Sequence, residues 1–211
     1  MLKRTCAAAV ACLVAMGIMA PTADAYDKYR AANYADWWAG SRNGAYPNFG
    51  SFPYRGSDCT NFVSQAMHDG GFSMVGGGSE TSPWEWWIRP NNWGTYDFNH
   101  SWSVAADLRQ FLIYHYPGGY SQGTAPGSAT NYWTPDAVTT GDLLFYDWGR
   151  GEGISHVGMQ VGYGTSDWGW NGNFTDQHQT DRRHAFWSLR PYNNDWPSTT
   201  IYFMHIAADN Y

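Results

Sequence analysis

Lysine is nearly missing from this sequence: after Lys3 the chain has a single one, Lys28. Charged residues of both signs make up 14% of the 211 residues, and the balance is acidic, with 12 Lys and Arg against 18 Asp and Glu. So few cations cannot release the counterions of a phosphate backbone, which excludes sequence-independent nucleic-acid binding. The same scarcity excludes a coiled coil and the ion-pair-networked surface of a hyperthermophile protein. Long apolar runs are missing too. The longest, Ala7–Ala20, has 14 residues, short of the ~20 that a helix needs to cross a bilayer, so no stable membrane insertion is expected.

That short run follows Lys3 and Arg4 and leads through Pro21 to Ala23-Asp24-Ala25, a small-x-small cleavage pattern. Residues 1–25 therefore read as a cleavable signal peptide of a secreted protein. What remains, residues 26–211, carries 10 Lys and Arg against 17 Asp and Glu and is long enough to bury a core as one domain, expected to be a monomer. Cysteine is scarce as well: Cys6 and Cys12 fall in the discarded segment, leaving Cys59 alone. No intrachain disulfide is then possible. A lone thiol outside the cell is either buried and inert or kept for its chemistry.

Aromatic residues, by contrast, reach 18%, with 13 Trp and 15 Tyr. Tyr29, Ala32, Tyr34, Ala35 and Trp38 recur at helical spacing, which predicts a helix over 26–39 ended by Gly40. A second helix is expected from Asp58 to Met67, closed by Gly70-Gly71, and a third over Val104–Tyr114. Residues 76–99 and 120–140 read as loops, the first rich in tryptophan. From Gly141 the period changes, and strands are expected at 143–148, 154–163, 173–179 and 200–206. Helices first and strands afterwards, joined by hairpin-length turns, predict an α+β domain whose N-terminal helices pack on a C-terminal antiparallel sheet.

Cys59 falls in the first turn of the second helix, where the macrodipole and free backbone N–H groups stabilise a thiolate. Positions 59, 62, 63 and 66 share one face, so the thiol sits above the apolar stripe that docks on the sheet. A nucleophilic cysteine needs a base, and the strand beginning at Ile154 offers His156. Alternation puts His156, Gly158, Gln160 and Gly162 on one face, small enough to accept the Cys59 helix. Ser57 and Gln65 are polar neighbours, and Gln65, six residues along the helix, is expected to be structural. His178 and His184 are spaced like a metal pair, but Arg182 and Arg183 between them oppose a cation, so neither metal nor cofactor is expected. The rival class is a non-catalytic glycan- or cell-wall-binding module that uses Trp84, Trp86, Trp87 and Trp93 as stacking platforms.

The run Asp58-Cys59-Thr60-Asn61-Phe62-Val63-Ser64-Gln65-Ala66, with Trp86-Trp87, Gly141-Asp142-Leu143-Leu144-Phe145, Ser155-His156-Val157-Gly158 and Gln177-His178-Gln179-Thr180-Asp181, resembles the "putative amidase domain" family across residues 26–206. The resemblance implies a papain-like fold, distantly related to NlpC-type cell-wall peptidases. It implies cleavage of an amide or peptide bond, with peptidoglycan peptide the first substrate class to test. By position it makes Cys59 the nucleophile, His156 the general base and acid, and His178 the residue that orients His156. Residues 174, 176 and 178 share one face of the expected strand, so Asp176 is the alternative orienter; its simpler role is a solvated or turn carboxylate.

Overall fold

The structure, a computed structural model, describes residues 25–49, 56–115 and 118–207. The expected signal peptide lies, apart from Ala25, outside the described residues. Among the described residues no helix is long and apolar enough to cross a membrane.

Helix α1 (Lys28–Trp38) starts at Asp27, whose carboxylate accepts from the Tyr29 and Arg30 backbone N–H groups at 3.0 Å each, satisfying two donors that the helix itself cannot. Its buried face is Ala31, Ala32 and Ala35, small enough for close packing against α2 (Asp58–Asp69). Helix α2 is the central one: every residue from Asp58 to Met67 is buried. Asp58 in its first turn and His68 in its last both complement the helix dipole.

Six strands form one antiparallel sheet in the order β3 (Gly119–Pro126), β8 (Thr200–Ile206), β4 (Leu143–Asp147), β5 (Ile154–Thr165), β6 (Asn171–Gln177), β7 (Arg182–Phe186). The protein is thus α+β, with helices on an antiparallel sheet. A separate hairpin, β1 (Ile88–Pro90) with β2 (Tyr96–Phe98), and helices α3 (His100–Ser103) and α4 (Ala105–Tyr114) complete the elements used below.

Alternation along the strands divides the core into two layers. Leu143, Phe145, Val157, Met159, Met204 and Ile206 face the helices, together with Cys59, Phe62, Val63 and Ala66. Leu144, Tyr146, Ile201 and Phe203 face the other way, under Val138, Phe186, Trp187 and Leu189. The sheet is therefore buried on both sides, which explains why β4 is an unbroken apolar run.

Four sequence expectations are corrected. Residues 76–99 contain the β1–β2 hairpin, and residues 120–140 contain most of β3. Both β3 and the unexpected β7 are sheet edges. Edge strands carry polar and charged residues that suppress further pairing, and Ser121-Gln122-Gly123-Thr124 and Arg182-Arg183-His184 hide the strand pattern for that reason. The expected third helix is broken at Val104, which is extended at φ −122°, ψ 122° and separates α3 from α4. Trp86 and Trp87 are core residues, whereas Trp84 and Trp93 are exposed.

The fourth correction concerns β5. Val157 and Met159, not His156 and Gly158, face the Cys59 helix. The close approach at Gly158 comes from the neighbouring strand: a Cβ there would lie 2.3 Å from Thr175 Oγ1 and 3.6 Å from Gln177 Cβ.

Candidate active site

The Asp58–Gln65 run is a set of anchors around one thiol. Asn61 accepts from Trp102 Nε1 at 3.0 Å and donates to Asp58 Oδ1 at 3.2 Å. The Ser64 hydroxyl donates to Trp102 O at 3.0 Å and accepts from Trp86 Nε1 at 3.1 Å. Gln65 accepts from the Tyr34 hydroxyl at 2.6 Å, a structural bond far from the sulfur. Asn61, Ser64 and Gln65 thus fix α2 against α1, α3 and Trp86.

Cys59 is the second residue of α2, and the helix's first internal bond runs from Asn61 N–H to Ser57 O at 3.2 Å. The Cys59 N–H thus precedes the helical ladder and points at the helix's N-terminal side. Ser57 occupies the N-cap position with extended φ and ψ but makes no side-chain cap. Its hydroxyl lies instead 3.1 Å from Cys59 Sγ and 3.2 Å from Thr60 Oγ1. The preceding Gly56, at φ +139°, has no room for a side chain: a Cβ would lie 2.3 Å from that of Ser103.

His156 and the Val157 backbone N–H, near the start of β5, both act on the Cys59 sulfur and favour its thiolate. Burial pushes the Cys59 thiol up, but the charge and hydrogen bond of His156, the Ser57 hydroxyl and the Val157 N–H outweigh it and bring the thiol to about 7. Burial pushes His156 down, yet the Cys59 charge and hydrogen bond and the bond to Gln177 raise it above the ordinary imidazole value. Each group stabilises the charged form of the other.

The tautomer follows from the amide beside it. Gln177 Nε2 donates to Thr180 O at 3.1 Å, so its carbonyl Oε1 faces His156 Nε2, 2.8 Å away. The Nε2 nitrogen must then carry the hydrogen, which leaves Nδ1 for the sulfur. Trp148 stacks on the imidazole at 5.4 Å between centroids and Tyr146 packs at 5.6 Å.

Gln177, not His178 or Asp176, is therefore the residue bonded to His156. Met159 pairs with Asp176 across β5 and β6, so Asp176 shares the helix-covered face with Met159 and Gln177 points to the opposite one. His178 turns back toward the helices. It stacks on Phe62 at 4.0 Å, its Nε2 meets Trp38 O at 2.8 Å, and its Nδ1 lies 3.1 Å from Asp58 Oδ2. Asp176 Oδ1 accepts from the His184 backbone N–H at 2.5 Å, and its Oδ2 has no partner among the described residues. The strand expected at 173–179 is offset from β6 by two residues, which preserves its alternation, and the candidate face of residues 174, 176 and 178 leaves Gln177 out.

Among the described residues two groups hold metal-ligating residue types, Asp58 with His178 and Asp181, and Asp36 with Asp176 and His184. Arginines already occupy three of their four carboxylates, all but Asp176. Arg42 holds Asp58 at 2.6 Å and Asp181 at 2.8 Å, and Arg183 holds both oxygens of Asp36 at 2.8 and 2.7 Å. A cleft of about 330 Å³ lies beside the imidazole, lined by Trp148, Ser155, His156, Gln177, Arg182 and Tyr192 among others.

A buried thiol poised near neutrality against an oriented imidazole is the arrangement of an acyl-transfer site. Comparison with known proteins agrees on the class. The chain belongs to the family described as "putative amidase domain", which it matches over residues 25–204, and that membership suggests hydrolysis of amide bonds. It is also 30% identical over 185 residues to the uncharacterized protein YhbB of Bacillus subtilis (strain 168), a match covering 87% of this chain and 51% of that one. The chain thus spans about half the length of this curated relative. No solved structure is significantly similar to it.

Proposed function

We propose that the protein is a secreted cysteine amidase or peptidase of papain-like type, related to NlpC-type cell-wall peptidases and acting on an amide or peptide bond, with peptidoglycan peptide as the substrate class. The observation that carries the chemistry is the buried Cys59–His156 contact, with a thiol near 7 and a ring held by Gln177 at 2.8 Å. Cys59 thiolate attacks the carbonyl carbon, and the Cys59 N–H at the start of α2 receives the oxyanion. His156 gives its proton to the departing nitrogen as the C–N bond breaks. It then takes a proton from the water that cleaves the thioester, and Cys59 leaves again as thiolate.

Secretion rests on the basic, apolar and small-x-small order of residues 1–25. The substrate class rests on the family's distant relatives. The test is incubation of the purified protein and its Cys59→Ala variant with peptidoglycan fragments and simple amides, with products identified by mass spectrometry. New amines and carboxylates from the wild type alone are expected; identical products from both proteins would end the cysteine mechanism.

A further inference from the structure

We propose that the cleft beside His156 is the leaving-group site and that Arg182 binds a free carboxylate there, so that the expelled amine is an amino acid or short peptide ending in a carboxylate. The inference rests on the cysteine mechanism above and adds the chemistry of one substrate half. Position decides which half. The cleft is lined by His156 and Gln177 but not by Cys59. In the proposed reaction the sulfur keeps the acyl group while His156 delivers a proton to the amine. A cavity reached from the imidazole and not from the thiol therefore lies on the amine's side.

Charge decides the recognised group. Arg182 is the cross-strand partner of Gln177, so its side chain leaves the sheet beside the residue that holds His156. Its guanidinium carbon lies over the Tyr192 ring, 4.3 Å from the centroid. The ring accepts none of the N–H donors as a carboxylate would, and a guanidinium can give two of them to one carboxylate in parallel bonds. Arg30, Arg42, Arg150 and Arg183 each hold an aspartate. Arg182 forms no ion pair with any described residue, although it sits half-buried in a cleft. Of the other charged residues lining the same cleft, Arg150 is neutralised by Asp195, and Glu152 is exposed to solvent, where its field is screened. The Ser155 hydroxyl, also part of the lining, has no partner among the described residues.

The acyl-enzyme run backwards isolates this half-site without knowledge of the natural substrate. p-Nitrophenyl acetate acylates Cys59 and releases p-nitrophenolate. An added amine then attacks the thioester carbonyl, a C–N bond forms, the C–S bond breaks, the amine's proton passes to His156 and Cys59 departs as thiolate. Glycylglycine and glycylglycinamide differ chiefly in the terminal carboxylate. Their acetylated products, counted by mass spectrometry, give a partition ratio that is independent of the rate of acylation.

The expected ratio favours glycylglycine by about tenfold in the wild type, the size of a charge-assisted hydrogen bond. It should collapse toward unity in Arg182→Gln and be partly kept in Arg182→Lys. Equal partitioning in the wild type, or a preference unchanged in Arg182→Gln, overturns the carboxylate site while leaving the cysteine mechanism standing. Absence of any acetyl-Cys59 in the wild type overturns the mechanism itself, and this inference with it.

Discussion

At the end of β6, Gln177 and His178 are consecutive in the chain but serve opposite faces of the sheet. Gln177 offers a neutral carbonyl to His156 at 2.8 Å beside an open cleft. His178 is sealed among Phe62, Trp38 O and Asp58, with Arg42 on the same aspartate. The imidazole that must gain and lose a proton has an amide partner, which orients without demanding a charge. The imidazole that must stay in place has a carboxylate. Burial pushes Asp58 up, but the hydrogen bond and charge of His178, the amide of Asn61 and the charge of Arg42 pull it below the usual carboxylate value. Since Asp58 directly precedes Cys59 and His178 directly follows Gln177, this second network also ties the start of α2 to the end of β6. One residue step thus separates reaction chemistry from structural anchoring.

The comparison is broken most directly at the reacting pair. Cys59→Ala should lower kcat/KM by at least about 10³-fold, as loss of a nucleophile does, with an unchanged circular-dichroism melt because Ala suits the helix. His156→Ala should cost nearly as much and also change the thiol. Alkylation of the wild type should be half-maximal near pH 7, the thiol's value. Without His156, burial acts on the sulfur with its chief opponent gone, and the midpoint should move up by roughly two units. A midpoint that stays put would separate the two residues.

The next test sets the two neighbours against each other. Gln177→Ala should lower the chemical rate by about 10- to 100-fold, since the base remains but loses its orientation, with little change in melting temperature. His178→Ala should do the reverse: it removes one partner of buried Asp58, leaving Arg42 and Asn61, at a cost of about 2 kcal/mol in urea unfolding, while the rate per folded molecule falls less than in Gln177→Ala. Swapped outcomes would return the orienting role to His178.

How legible was this in the sequence? The helix start at Asp58 and the strands at 143–147 and 200–206 follow from local periodicity, whereas Cys59 and His156 were matched by chemistry, a thiol's need for a base, and the strand face expected to carry His156 to the helix is the wrong one. Strands β3 and β7 were not legible, because edge position is a tertiary property and their polar residues imitate loop composition. Gln177 was missed because the resemblance carried the orienting role to His178 and the alternative, Asp176, was sought on the same strand face, whereas Gln177, the last residue of β6, lies on the opposite one. Asp142, an unremarked part of the Gly-Asp motif, proves to be a buried clamp that accepts from Thr139 N–H at 2.6 Å and Ile206 N–H at 3.0 Å. Sequence spacing alone held no trace of those long-range partners.

The smallest expected effect on turnover belongs to the third candidate, Asp176, which shares the helix-covered face with His178 but lacks its partners. Burial raises this carboxyl to about 7, against the stabilising His184 backbone N–H, with Asp36 nearby adding to the rise. In the unfolded chain it titrates near 4. Between about pH 4 and pH 7 the folded state therefore holds a proton that the unfolded state has lost, and stability falls as pH rises through that window. Above pH 7 the penalty is complete and constant. Asparagine imitates the protonated form, since its carbonyl can still accept from His184 N–H, and it carries no charge at any pH. Asp176→Asn should thus leave the melting temperature at pH 4 nearly unchanged and raise it at pH 8 by roughly 8–16 °C, corresponding to about 4 kcal/mol. Its turnover at pH 7 should stay within about twofold of wild type, because nothing it touches reaches His156. An equal shift at both pH values would mean that the carboxyl does not titrate in this window, and a large loss of turnover would place Asp176 with Gln177 rather than with His178.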